Sequence, residues 1–297
     1  MSGRRQGLAV LVAAARTQRG AVGLVIVAAV VLLAVAGPLV VPHPPTESVT
    51  ETFAEPSSAF PLGGDNIGRD VLSRVLAGGW LLLVMAAAAT AIGVGGGVIL
   101  GIAAAYRGRL TDGLLMRAVD VLLAFPQLVF ALLLVSVLGS HGWLIVLAVG
   151  ISHAPQVARV VRATALEICE RDFVRSVELM GTPARRVMTG EVLPNVTSVV
   201  TVELGLRFTW SILIIASLSF LGLGIQPPEA NWGLMINENR IGLVSNPWAV
   251  VVPTALIAII TIGLNTFTDA IARASLGVER PAEEAALAAG TPLELAS

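Results

Sequence analysis

Three histidines, one cysteine and no lysine leave this 297-residue chain few groups for covalent chemistry. All 19 basic residues are arginine. A P-loop needs a lysine to reach the phosphates, so the chain cannot carry a standard ATP site. A lysine Schiff base is excluded for the same reason. Cys169 stands alone, which rules out an internal disulfide and a CxxC redox or zinc pair. His43, His141 and His153 lack metal-ligand spacing, and His43 lies in "PHPPT", a stretch that favours extended backbone. No Ser/His/Asp set, paired carboxylates or Gly-rich phosphate loop is credible. The expectation is a non-catalytic chain with no metal and no cofactor of its own.

Two other arrangements can act. Glu203 and Arg207 are four residues apart within an apolar run, hence on one helix face. Ionisable residues inside a membrane are expensive and face protein or a water-filled cavity. The pair reads either as a self-neutralising structural pair or as lining for a translocation path. The second arrangement is "ERDFVRSVELMGTPARRVMTGEVLPN", Glu170–Asn195, with eight charges in an otherwise apolar region. Ala165 to Met180 reads as one helix, with Phe173, Val177 and Met180 on a stripe at i, i+4 and i+7. Gly181 fits the left-handed residue that ends a helix. Thr182 can N-cap the next helix, with Pro183 at its first position. Leu193-Pro194-Asn195 then interrupts the pattern. Two short amphipathic helices joined by a tight Gly-Thr-Pro turn suit a solvated or lipid-surface loop. They equally suit a groove on a partner protein.

The elements that must position these groups are membrane spans. The chain is 55% hydrophobic and only 13% charged, against about 25% charged in an average soluble domain. A net charge of −1 argues against nucleic acid as a partner. Six stretches reach the length of about 20 apolar residues that a bilayer requires: Ala21–Val41, Trp80–Ala105, Ala118–Leu138, Trp143–Val161, Val196–Leu223 and Ala249–Thr268. The fold class is therefore all-α, a polytopic protein with six transmembrane helices. Eight charges inside the bilayer would cost roughly 20 kcal/mol or more, so Glu170–Asn195 is a loop between the fourth and fifth spans.

Arginine placement sets the orientation. Arg4, Arg5, Arg16, Arg19, Arg107, Arg109, Arg117, Arg159, Arg162, Arg171, Arg175, Arg185, Arg186, Arg273 and Arg280 share one side if both termini are cytoplasmic. The other side receives only Arg69, Arg74 and Arg240. The charged loop is then cytoplasmic. Basic residues, an apolar run and "AVA" at Ala34–Ala36 also give the first span a signal-peptide reading. Gly93, Gly97 and Gly101 recur every fourth residue in the second span and predict close helix packing, with a hinge as the alternative. Asp120 and Asp269 read as interfacial.

The organisation that follows is a cytoplasmic N-terminus (1–20), a first span (21–41), an extracytoplasmic segment (42–79) and a core of five spans (80–273) holding the loop at 164–195. A tail (274–297) is expected to be disordered.

"FVRSVELMG" followed by "LPN" resembles the cytoplasmic loop of inner-membrane permeases of bacterial ABC importers. That loop starts acidic-Ala-Ala and carries a glycine and a later Leu-Pro. Gly181 and Leu193-Pro194 match; Arg175-Ser176-Val177 stand where acidic-Ala-Ala is usual. "FPLGGDNIGRDVLSRVLAGGW" (Phe60–Trp80) and "SLSFLGLGIQPPEANWGLMI" (Ser217–Ile236) are similar to hallmarks of one subgroup, the C-type permease subunit of dipeptide, oligopeptide and nickel importers. Members often carry a glutamate where this chain has Ile215.

The resemblance covers about Arg4 to Gly277 and implies the type I ABC importer permease fold in a bacterial inner membrane. It implies that the loop is the coupling helix. Phe173, Arg175, Val177, Glu178, Met180, Gly181, Thr182, Pro183, Arg185, Leu193 and Pro194 would then meet an ATPase subunit. The implied partners are a homologous B-type permease subunit, two ATPase subunits that hold ATP and Mg, and an extracytoplasmic peptide-binding protein. The implied cargo is a di- or oligopeptide, with nickel as the alternative.

Read from the residues alone, Phe60–Trp80 is an interfacial segment with Arg69, Asp70 and Arg74 on a polar face. Trp232 is an interface anchor after the helix-stopping Pro227-Pro228. An ion-coupled secondary transporter and a membrane scaffold are the competing functions. Glu203 is the one well-buried acid that the former could use.

Overall fold

The computed structural model describes residues 3–288, and among them every regular element is helical. An amphipathic helix α1 (Gly3–Arg16) precedes the first long apolar helix α2 (Gln18–Ala36). A short α3 (Val71–Ala77) leads into α4 (Gly79–Tyr106), and α5 (Arg109–Leu123), α6 (Gln127–Leu138) and α7 (Gly142–Cys169) follow. The charged loop contains α8 (Asp172–Leu179), α9 (Ala184–Val187) and α10 (Leu193–Asn195). Then come α11 (Thr197–Phe220), a short α12 (Trp232–Asn239) and α13 (Trp248–Ala288). Five helices are long and apolar enough to cross a membrane, and α5 with α6 makes a sixth span if the bent pair counts as one.

That bend corrects the third predicted span. Ala118–Leu138 is not one helix: α5 and α6 meet at 87° across Ala124-Phe125-Pro126. Pro126 has no N–H to give the ladder and pushes Phe125 out of helical geometry. The twelve residues of α6 reach only about 18 Å, well short of the ~30 Å hydrocarbon core. The segment can cross only as a bent pair. Asp112 and Asp120 fix α5 to α7 through ion pairs with Arg162 and Arg159. Asp120 is thus half of an exposed ion pair.

The core is α4 against α7, and small residues set its spacing. A Cβ on Gly93 would lie 2.7 Å from the Gly150 carbonyl oxygen. On Gly97 it would lie 2.8 Å from that of Ala154, and on Gly101 2.7 Å from that of Ala158. The backbones therefore touch along a row of small residues on both helices, as membrane helix pairs do. The first and last apolar helices pack the same way, with Gly23 of α2 against the Gly263 carbonyl of α13.

The charged stretch also departs from the one-helix reading of Ala165–Met180. The fourth span runs on to Cys169, and the chain breaks at Glu170-Arg171 before α8 begins. Arg171 is the N-cap residue, with extended backbone. Thr182 does not cap the next helix; Pro183 occupies that position, without a side-chain cap. Leu193-Pro194-Asn195 does not stop the chain either. A widened π-type turn at Met188–Val192 carries the helical path into α10, with Pro194 in its first turn.

Candidate functional site

The lobe α8–turn–α9 is built to stand out from the bundle while staying attached to it. Met180 closes α8, and Gly181 follows at φ +78°. The Gly181 N–H donates to the Glu178 carbonyl at 2.9 Å, and the Thr182 N–H to that of Val177 at 3.4 Å. This is the Schellman pattern, which needs a residue at positive φ after the last helical turn. Val174, Val187 and Val192 are fully buried. They pack with Val98, Ile102, Val161 and Ile168 at the ends of α4 and α7. The lobe's opposite face is bare. Phe173 is 40% exposed, Met180 73% and Leu179 89%.

The predicted stripe is therefore split. Val177 turns partly inward, Val174 is the true inner residue, and Phe173 and Met180 lie outside. Arg175, Glu178, Gly181, Pro183 and Arg185 are exposed on the same lobe, with Thr182 half-buried. Leu193 and Pro194 are half-buried at its root. Nothing lies within 4 Å of where a Cβ on Gly181 would sit. The lobe is a greasy, charge-flanked tip on a rigid stem, which is the composition of a helix-in-groove contact.

A second polar arrangement crosses the middle of the bundle. Glu203 is 6% exposed, and its Oε2 accepts from Arg207 Nε at 3.0 Å. Arg207 also donates to the Gln156 side-chain carbonyl. One turn further along α11, Ser211 Oγ lies 2.9 Å from His153 Nε2 and 3.0 Å from Thr90 Oγ1. Gln127 donates to the other nitrogen of His153. Two hydrogen-bonded sets result: Glu203–Arg207–Gln156 ties α11 to α7, and Thr90–Ser211–His153–Gln127 ties α4, α6, α7 and α11 together. Gln127, Gln156, Ser211 and Thr90 were missed by sequence reasoning, which weighed His153 only as a metal ligand. Glu203, Arg207 and Ser211 fall at i, i+4 and i+8, and that spacing was the available signal.

On the opposite end from the lobe, Phe60–Trp80 is not an interfacial segment with a polar face. Asp65, Asp70 and Arg74 are 0% exposed and Arg69 2%. Arg69 Nε donates to Asp65 at 2.6 Å and its Nη2 to Glu238 on α12 at 3.0 Å. Arg74 bonds Asp65 at 2.5 Å and sits 2.9 Å from Glu238. Asp70 caps α3 through the Leu72 and Ser73 N–H groups. Trp232 is likewise no interface anchor; it is fully buried, and its indole N–H donates to the Val75 carbonyl at 2.9 Å. These bonds stitch α3 and α12 into one cap.

Burial pushes the Glu238 carboxyl up from 4.5 to about 7, with Arg69 opposing and Asp65 adding to the shift. A carboxyl raised in the folded state stabilises that state below its usual value and loses the contribution as pH climbs through 7. The thermal midpoint of the full chain in detergent should therefore fall between pH 5 and pH 8. Glu238→Gln should remove that part of the fall; an identical pH profile in the variant would refute the assignment.

Residues 97–275 match the family model described as binding-protein-dependent transport system inner membrane component. A Brucella suis protein named provisionally as a peptide transport system permease is 36% identical over 255 residues, covering 84% of each chain. The dipeptide transport system permease protein DppC of Alkalihalophilus pseudofirmus is 32% identical over 251 residues, covering 84% of this chain and 83% of its own. The glutathione transport system permease protein GsiD of Pectobacterium atrosepticum is 36% identical over 216 residues, covering 73% and 72%.

Proposed function

Because the chain belongs to the family of binding-protein-dependent transport system inner membrane components, and so is a multi-pass ABC importer permease, we propose that its cargo is a di- or oligopeptide. Relatives named for peptides, dipeptides and glutathione favour that cargo over nickel. The chain works beside a homologous permease subunit, with the pathway between them. A binding protein delivers peptide from outside. Two ATPase subunits, which hold ATP and Mg, meet the lobe on the cytoplasmic side, where both termini also lie. The chain itself catalyses nothing.

One observation carries the coupling role: the lobe exposes Phe173, Leu179 and Met180 on one face and locks Val174 and Val187 into the ends of α4 and α7 on the other. A push on the exposed face reaches the spans without loss in a soft linker. The small-residue contact between α4 and α7 lets the two helices respond as one body. Closing the ATPases on ATP would move the lobe as a lever and switch the pathway between outward and inward access. The Glu203–Arg207 pair either lines that pathway or braces the helices around it. Affinity purification of the tagged full chain tests the assembly. A second permease and two ATPases should come down with it; recovery of the chain alone from intact membranes would contradict the reading.

A further inference from the structure

A cavity of about 690 Å³ opens where the turn between α1 and α2 meets the far part of α13. Thr17, Gln18, Arg19, Thr266, Asp269 and Arg273 line it. The Thr17 hydroxyl is already used, donating to the Ala14 carbonyl and accepting from the Gly20 N–H. Arg19, Asp269 and Arg273 are exposed, and among the described residues none of the three forms an ion pair. Two cations and one anion therefore look into the same space.

Depth identifies what that space meets. Trp248 opens α13, and Arg273 lies 25 residues later, about 38 Å along the axis at 1.5 Å per residue. A bilayer is about 30 Å across its hydrocarbon and 40–45 Å with headgroups. Gln18 opens the apolar stretch Gln18–Leu39. The cavity is thus at headgroup level, in the leaflet nearest the N-terminal helix. Its walls continue into the membrane. Gln18, Val22 and Val25 share one face of α2, and Ile262, Thr266, Asp269 and Arg273 share one face of α13. Val22, Val25 and Ile262 are 57%, 67% and 60% exposed.

We propose that this cavity binds the headgroup of a membrane phospholipid bearing both a phosphate and a primary ammonium, the ethanolamine type. Arg19 and Arg273 hold the phosphate through charge-assisted hydrogen bonds. Asp269 takes the ammonium, and the acyl chains run along Val22, Val25 and Ile262. A glycerol headgroup satisfies the arginines and leaves Asp269 without a counter-charge. Free inorganic phosphate satisfies the arginines and has nothing for Asp269 or the apolar strip. The site is independent of the transport reading and of its substrate.

The test uses the delipidated full chain in mild detergent, titrated with short-chain phosphatidylethanolamine, short-chain phosphatidylglycerol and inorganic phosphate, and read by native mass spectrometry and thermal shift. Phosphatidylethanolamine should bind at least tenfold more tightly than phosphatidylglycerol. Asp269→Asn should abolish that preference, and the double variant Arg19→Gln/Arg273→Gln should weaken both lipids at least tenfold. All three positions are exposed, so the variants are expected to fold, and circular dichroism checks that they do. Unchanged binding in the double variant, or a preference that survives Asp269→Asn, would overturn the proposal. Displacement of the ethanolamine lipid by equimolar inorganic phosphate would overturn it in favour of a free-phosphate site.

Discussion

Gly181→Asp is expected to cut ATP-linked uptake at least tenfold while membrane insertion stays at the parental level. The backbone cost is small: a non-glycine residue at positive φ pays about 1–2 kcal/mol, and aspartate visits that region more readily than most. The space around the position is open, so no side chain has to move. The lobe therefore keeps its stem, with Val174 and Val187 still buried. What changes is the tip, where a carboxylate now stands beside exposed Leu179 and Met180. A buried docking contact would have to desolvate that charge. Gly181→Asn separates the two effects, because it carries the same backbone strain without the charge. Uptake assayed in whole cells, with chain abundance measured by immunoblot, should rank glycine, asparagine and aspartate in that order. Equal uptake by all three would remove the coupling role from the lobe.

Arg207→Met should be strongly damaging to the fold. Breaking a buried ion pair by removing one partner costs about 3–5 kcal/mol, because the other charge is left uncompensated. Here the stranded group is Glu203, 6% exposed, and Gln156 loses its donor as well. The double variant Glu203→Gln/Arg207→Met removes the stranded charge and should restore abundance and thermal stability to near the parental level. Uptake then decides the pair's role. If the double variant folds and transports normally, the pair is a brace. If it folds and transport falls at least tenfold, the pair lines the path. A double variant no more stable than Arg207→Met would show that the two residues do not act as a pair.

The spans were legible because hydropathy is a local property, and α2, α4, α7, α11 and α13 begin within a few residues of the apolar runs that predict them. The break at Pro126 was not read. The residues around it are apolar on both sides, and composition is blind to an 87° bend. Arg69 and Arg74 were misread as a polar face for a different reason. Their partner Glu238 lies 169 residues away from Arg69, and a pattern along one segment cannot reveal such a counter-charge. Trp232 failed likewise, since its acceptor is the carbonyl of Val75, 157 residues earlier. At the lobe, helix-end chemistry located Gly181 directly. The inward face could not be chosen, because Phe173, Val174, Val177 and Met180 are all apolar and only packing against α4 and α7 selects Val174.

If the lobe is a coupling lever, ATP hydrolysed on other subunits drives this chain. The most direct measurement is uptake of a labelled dipeptide into proteoliposomes holding the complex that copurifies with the full chain. The binding protein is supplied outside, and ATP is sealed inside with the proton gradient collapsed. Uptake should need ATP and be absent with a non-hydrolysable analogue. Uptake that persists without ATP hydrolysis and follows an imposed proton gradient would contradict it.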